Sequence, residues 1–189
     1  MKNLFIILAF ALSLQGCFFV AGAAAGAAGV AVVYDHRKLE KILLDERIAK
    51  SASDKLRENP RINESSHIEV TCFNQVVLLT GQTTNPELKQ LAENIVRTVP
   101  DIKRIYNQVN VKGPTSALTQ ASDSWITTKI KTQMLATKGL QSGTIKVVTE
   151  NGVVYLMGIV NRDQAETAVD IARQVHGVQR VMKIFQYAG

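Results

Sequence analysis

Five side chains in this sequence carry a thiol or an imidazole: Cys17, Cys72, His36, His67 and His176. None of the histidines has a partner at the spacing of a metal site, so no metal ion is expected. No Gly-x-Ser-x-Gly turn, phosphate loop or paired-carboxylate motif accompanies them, so no catalytic residue and no cofactor is expected either. His176 precedes Gly177 at a predicted helix end, where an imidazole suits the helix dipole. Cys72 alternates with Ile68 and Val70, the pattern of a small apolar side chain turned inward from a strand. Cys17 stands apart. It follows a lysine at position 2, an apolar run from Leu4 to Leu14 and a small residue, Gly16, which is the layout of an export signal.

A second kind of chemistry, attraction to a membrane surface, is written at Trp125. A helix around it puts Ile126, Ile130 and Met134 on one face. The opposite face carries Trp125, Thr128, Thr132 and Leu135, with Lys129 and Lys131 beside them. An indole favours the interface, where its ring is buried and its N–H stays wet. Each nearby lysine adds roughly 1 kcal/mol near an anionic surface. The formal net charge of +6 is greatest in the second half. That excess is mild, and it suits an anionic membrane better than a nucleic acid, so no nucleic-acid partner is expected.

The elements that must position these residues occur twice. Asp45, Ile48, Ala52 and Leu56 match Asp123, Ile126, Ile130 and Met134; Ile68, Val70, Asn74, Val77, Leu79 and Gly81 match Ile145, Val147, Asn151, Val154, Leu156 and Gly158. Asn85, Ala92, Ile95, Asp101 and Ile105 then match Asn161, Ala168, Ile171, Gly177 and Val181. Two one-residue gaps reconcile the blocks, and a period this long means a duplicated domain. Each copy reads helix, strand, strand, helix, strand: an α+β fold of two tandem αββαβ units, each a three-stranded mixed sheet with two helices on one face. Ser122 or Asp123 is the expected cap of the second copy's first helix. Asn151-Gly152 predicts a tight hairpin, and Asn85-Pro86 a capped helix start. Val153, Tyr155 and Met157 lie on the other face of their strand and are candidates for contact between the copies. In copy one, the positions facing away from the core are Arg47, Lys50, Asp54 and Arg57, charged where copy two is not.

Leu14-Gln15-Gly16-Cys17 resembles the lipobox of bacterial lipoproteins. That resemblance implies cleavage before Cys17, acylation including palmitate on its thiol and a further chain on the new N-terminus. Two or more chains give stable anchoring. Phe18, in place of aspartate, favours the outer membrane by the same resemblance. Residues 18–34 are rich in Ala and Gly and short for a span of roughly 20 residues. They are expected to be a tether.

The chain also resembles the BON-domain proteins (bacterial OsmY and nodulation), in particular the dual-BON outer-membrane lipoproteins. The motifs are Val77-Leu78-Leu79-Thr80-Gly81-Gln82, Val109-Asn110-Val111, Trp125-Ile126-Thr127-Thr128-Lys129, Thr149-Glu150-Asn151-Gly152, Leu156-Met157-Gly158 and Gly177-Val178-Gln179-Arg180-Val181. This implies a non-enzymatic envelope protein, anchored by lipid in the outer membrane and facing the periplasm. It would bind anionic phospholipid, phosphatidylglycerol or cardiolipin, through its second domain, gather at division sites and support envelope integrity. An adaptor for the β-barrel assembly machinery is the alternative. The expected organisation is a signal peptide at 1–16, a lipidated tether at 17–44, a first BON domain at 45–113, a linker at 114–121 and a second BON domain at 122–189.

Overall fold

The computed structural model describes residues 39–113 and 115–188. Cys17, the signal peptide and most of the tether lie outside the described residues. The first copy comprises α1 (Leu39–Glu58), α2 (Pro60–Ser65), β1 (Ser66–Phe73), β2 (Val76–Thr83), α3 (Pro86–Arg97), β3 (Arg104–Asn107) and β4 (Asn110–Val111). The second comprises α4 (Ala117–Ala136), a 3-10 turn at Ser142–Thr144, β5 (Ile145–Glu150), β6 (Val153–Val160), α5 (Arg162–Gln174) and β7 (Arg180–Tyr187).

The repeat is visible in the pairing. β1 pairs antiparallel with β2, placing Ile68 opposite Gly81; β5 pairs the same way with β6, placing Ile145 opposite Gly158. β3 then runs parallel to β2, and β7 parallel to β6. The connection at each hairpin is a two-residue turn with both φ angles positive, 49° and 66° at Asn74 and Gln75 and 51° and 71° at Asn151 and Gly152. That is the twist that joins adjacent antiparallel strands without splaying them. Gly81 and Gly158 admit no side chain: an added Cβ would lie 2.0 Å from the His67 carbonyl oxygen and 2.7 Å from that of Thr144. Asn85 and Asn161 cap their helices as expected, accepting at 2.9 Å from the N–H of Leu88 and Gln164.

Each copy packs its helices on one sheet face. Ile126, Ile130 and Met134 meet Val147, Val154, Leu156 and Ala168 in copy two, and Ile48, Ala52 and Leu56 meet Cys72, Val77, Leu79 and Ala92 in copy one. A third cluster joins the two sheets by their other faces: Phe73, Val76 and Leu78 against Tyr155, Met157 and Ile184, with Val153 at its margin. Helices are therefore outermost and the two sheets lie face to face between them. A domain of about 65 residues buries a small core, and this shared layer lets the two copies complete each other. Asn74 Nδ2 donates to Gln186 Oε1 at 2.8 Å across the junction.

Four details differ from expectation. The third strand of copy one is in two pieces, so its sheet counts four strands; Val109, at the break, turns into the core. Among the described residues α1 starts at Leu39, so residues 39–44 of the expected tether are helical. α4 begins at Ala117, which shortens the linker expected at 114–121. Its cap is Ser116, whose Oγ accepts from Thr119 N at 3.2 Å. Neither Ser122 nor Asp123 caps it, because both lie inside the helix. The first six residues of α4, 117–122, include no buried one, so the apolar pattern did not announce them.

Candidate membrane-contact site

α4 is placed by three buried residues and one buried carboxylate. Ile126, Ile130 and Met134 are almost wholly inaccessible. Asp123, on the same stripe, accepts from Asn151 N at 2.6 Å and from Gly152 N at 2.8 Å. Asp45 does the same in copy one, accepting from Asn74 N at 2.6 Å and Gln75 N at 2.8 Å. Each carboxylate thus ties the first helix to the hairpin through donors that the strand ladder leaves unpaired. These two residues escaped the sequence reading as a site. Their signal was available: an acid on an apolar helical stripe at matching positions of both copies. Cys72 donates to Asp45 Oδ1 at 3.4 Å. Burial, with the carboxylate beside it, pushes the thiol up to about 12, so it is an inert inward-facing group.

With that stripe fixed inward, the opposite side of α4 faces solvent. Trp125 is 52% exposed and Leu135 56% exposed. Thr128, Lys129 and Thr132 are exposed between them. The longer helix adds Leu118, 82% exposed, one heptad before Trp125, with Ala121 exposed between them. The apolar face therefore runs nearly the full length of the helix. Sequence reasoning missed Leu118 because it assigned residues 114–121 to a linker.

The hydroxyls on this side are already engaged. Ser124 Oγ donates to Gln120 O at 3.0 Å, Thr128 Oγ1 to Ser124 O at 2.9 Å and Thr132 Oγ1 to Thr128 O at 2.9 Å. A hydroxyl bonded to the carbonyl one turn back needs no water. The cost of desolvating the face is reduced, since burial penalises polar groups chiefly when they lose their partners.

The two lysines differ. Lys129 stands on the Trp125 side of the face. Lys131 stands on the other flank, where partial desolvation and the charge of Lys146 hold its ammonium below the usual lysine range. The residues Trp125, Thr128, Lys129, Thr132 and Leu135 share one surface, and Lys131 borders it.

On copy one the corresponding helix exposes Leu39 and Leu43 near its start and presents charge from Arg47 onward. Lys50 Nζ lies 2.6 Å from Asp54 Oδ2, and Arg57 Nη2 lies 2.8 Å from Asp54 Oδ1. Among the described residues, no group of histidine, cysteine and carboxylates could hold a metal ion, and no helix is long and apolar enough to cross a membrane.

The family model for the BON domain matches residues 44–113 and again residues 122–189. The chain is 32% identical over 187 residues to the outer membrane lipoprotein DolP of Haemophilus influenzae, covering 99% of this chain and 96% of that protein. It is 36% identical over 146 residues to the 21 kDa hemolysin of Actinobacillus pleuropneumoniae, covering 77% and 73%. It is 27% identical over 157 residues to the osmotically-inducible protein Y of Escherichia coli, covering 82% and 78%. Matched over both copies by one domain model, and over nearly its whole length by a relative, this chain belongs to the BON-domain family and carries two BON domains in tandem.

Proposed function

We propose that this protein is a non-enzymatic lipoprotein of the outer membrane, anchored at Cys17 and facing the periplasm, whose second BON domain rests on anionic phospholipid through α4. In this role it supports envelope integrity at division sites. The observation that carries the reading is the face of α4: Leu118, Trp125 and Leu135 exposed, and the hydroxyls between them bonded to their own helix. The end-to-end similarity to a relative named as an outer membrane lipoprotein supports the location.

Flotation tests it. A Cys17→Ser protein lacking residues 1–16 is mixed with neutral vesicles or with vesicles containing phosphatidylglycerol or cardiolipin. Flotation with the anionic vesicles alone is expected. Failure with every vesicle would remove the lipid reading and leave a protein partner, such as the β-barrel assembly machinery, for the same face. The anchor is tested separately: Cys17→Ala in the full chain should remain an uncleaved precursor or leave the membrane fraction, and should not restore envelope integrity to cells lacking the protein.

A further inference from the structure

The open edge of β7 is the other place where copy two differs from copy one. β7 is eight residues long and pairs with β6 alone. Its parity follows from the pairing. The hairpin couples Glu150 to Val153, so alternate residues from Val154 onward turn their backbone toward β7. Ala188 N donates to Val160 O at 3.1 Å, in keeping with that alternation. Val181, Lys183, Phe185 and Tyr187 consequently turn their N–H and C=O groups to the open side.

A groove of about 380 Å³ runs beside this edge, between β7 and α5, lined by Arg162, Glu166, Asp170, Arg173, Lys183 and Tyr187. Arg162 stands 5.7 Å from the centre of the Tyr187 ring. Asp170 is paired with Arg173 at 3.8 Å, whereas among the described residues neither Arg162 nor Lys183 is paired with a carboxylate. On the other side of the same edge, Lys103 and Arg104 of copy one border a second depression together with Phe185 and Gln186. With Glu166 and Asp170 set against Arg162, Arg173 and Lys183, the groove keeps one net positive charge, and Lys103 and Arg104 add two on the other side of the edge.

In copy one the same place is closed. Asn107, which corresponds to Lys183, donates through Nδ2 to Lys89 O at 2.9 Å and to Glu93 Oε2 at 3.2 Å, fastening the strand to α3. The strand then breaks before β4. Short, interrupted edges resist pairing, whereas a long regular edge is a template for another strand.

We infer that β7 is a docking edge for an extended acidic segment of a partner protein, which adds a strand to the second sheet and lays carboxylates against Arg162 and Lys183. Main-chain hydrogen bonds supply the affinity in this mode and the groove supplies selectivity. Charge argues against a second copy of this chain as occupant, because pairing β7 with itself about Lys183 would set that lysine opposite its own copy and would bring no acidic strand to the edge. The proposal concerns a surface distinct from the α4 face and does not depend on lipid binding there.

The test uses the Cys17→Ser protein lacking residues 1–16 and an eight-residue synthetic peptide of alternating valine and glutamate. Backbone amide exchange is followed by NMR. The peptide should slow exchange at the amides of Val181, Lys183, Phe185 and Tyr187 and leave α4 unchanged. The same peptide with lysine for glutamate should bind about tenfold more weakly or not at all. Lys183→Pro removes an outward N–H together with the lysine charge, at a place where edge strands tolerate proline, and should abolish protection. Arg162→Glu together with Lys183→Glu should do the same without a backbone change. No protection by the acidic peptide, equal binding of the lysine peptide, or phosphatidylglycerol vesicles protecting these amides in the peptide's place would each overturn the proposal.

Discussion

α1 and α4 are the same helix used twice and finished differently. Both are twenty residues long, and they align from Leu39 on Ala117 to Glu58 on Ala136. Both bury an aspartate and three apolar residues at equal spacing: Asp45, Ile48, Ala52 and Leu56 against Asp123, Ile126, Ile130 and Met134. Their outer sides diverge. Where α1 sets Arg47, Lys50, Asp54 and Arg57 in water and pairs three of them, α4 sets Trp125, Thr128, Thr132 and Leu135. The inner side is held by what the fold requires, while the outer side is free to vary. A difference confined to the free side therefore points to something outside the domain.

The largest effect should come from breaking what the two helices share. Asp123→Ala strands the N–H groups of Asn151 and Gly152, and a hydrogen bond to a charged group is worth about 1.5–3 kcal/mol. A loss of about 3 kcal/mol or more is expected, a large part of a typical domain's stability. Asp45→Ala should cost a similar amount, since its two N–H partners occupy equivalent positions. Thermal unfolding checks both. An unchanged midpoint for either variant would show that the carboxylate is not the link between helix and hairpin.

Breaking the difference should spare the fold and remove binding. Trp125→Glu substitutes an exposed position, where stability shifts stay within about 0.5 kcal/mol. It replaces an indole by a charge repelled from anionic lipid. Cosedimentation with phosphatidylglycerol vesicles should fall by roughly tenfold to a hundredfold, the range set by about 1.5–3 kcal/mol for one large apolar side chain. Arg47→Glu should leave binding nearly unchanged. Trp125 is the chain's single tryptophan, so a blue shift of its emission on adding such vesicles reports the contact directly. An unfolded Trp125→Glu protein, or equal losses from both variants, would dissolve the contrast.

Much of this contrast was legible in the residues. Helical spacing set Trp125 opposite Ile126, Ile130 and Met134, and alternation sent Tyr155 and Met157 to the face that meets copy one. The hairpin turns followed from Asn151-Gly152 and, by the repeat, from Asn74-Gln75. Leu118 was lost because the first six residues of α4 touch no core and leave no periodic trace. Asp45 and Asp123 were hidden because a carboxylate on an apolar stripe reads as a cap or a flaw until its backbone donors, about thirty residues away, are located. The break in the third strand of copy one has no spacing signal, since Val109 and its neighbours alternate as an unbroken strand would.

A smaller effect should separate the two lysines beside Trp125. Lys129→Gln should weaken binding to anionic vesicles by about 1 kcal/mol at low ionic strength, and the loss should shrink as salt is added. Lys131→Gln should matter less, because Lys131 lies on the other flank of the helix, where partial desolvation and the like charge of Lys146 already disfavour its charged form. Vesicle titrations at two salt concentrations decide this. Equal losses would mean that both lysines reach the lipid.

The smallest effect concerns stability alone, at a position where the copies differ on the sheet side. Phe73 closes the first hairpin within the layer between the sheets, and its counterpart in copy two is Glu150. Burial raises the Glu150 carboxyl above the ordinary glutamate range; Asp123 and Glu69 raise it further, while Lys112 and His67 oppose them. Because the folded value lies above the unfolded one, the folded state favours the protonated form. The stabilisation from that proton is complete below the ordinary glutamate pKa, near 4.3, and is lost as pH rises through the folded value. Glu150→Gln imitates the protonated group and can still accept from Asn151 Nδ2, which lies 2.5 Å from Glu150 Oε1. The variant should melt slightly higher than the parent at pH 7, and the gap should close as the pH approaches 4. A gap that persists unchanged at pH 4, or one of opposite sign at pH 7, would show that Glu150 is stabilised as an anion, with Lys112 and His67 outweighing its burial.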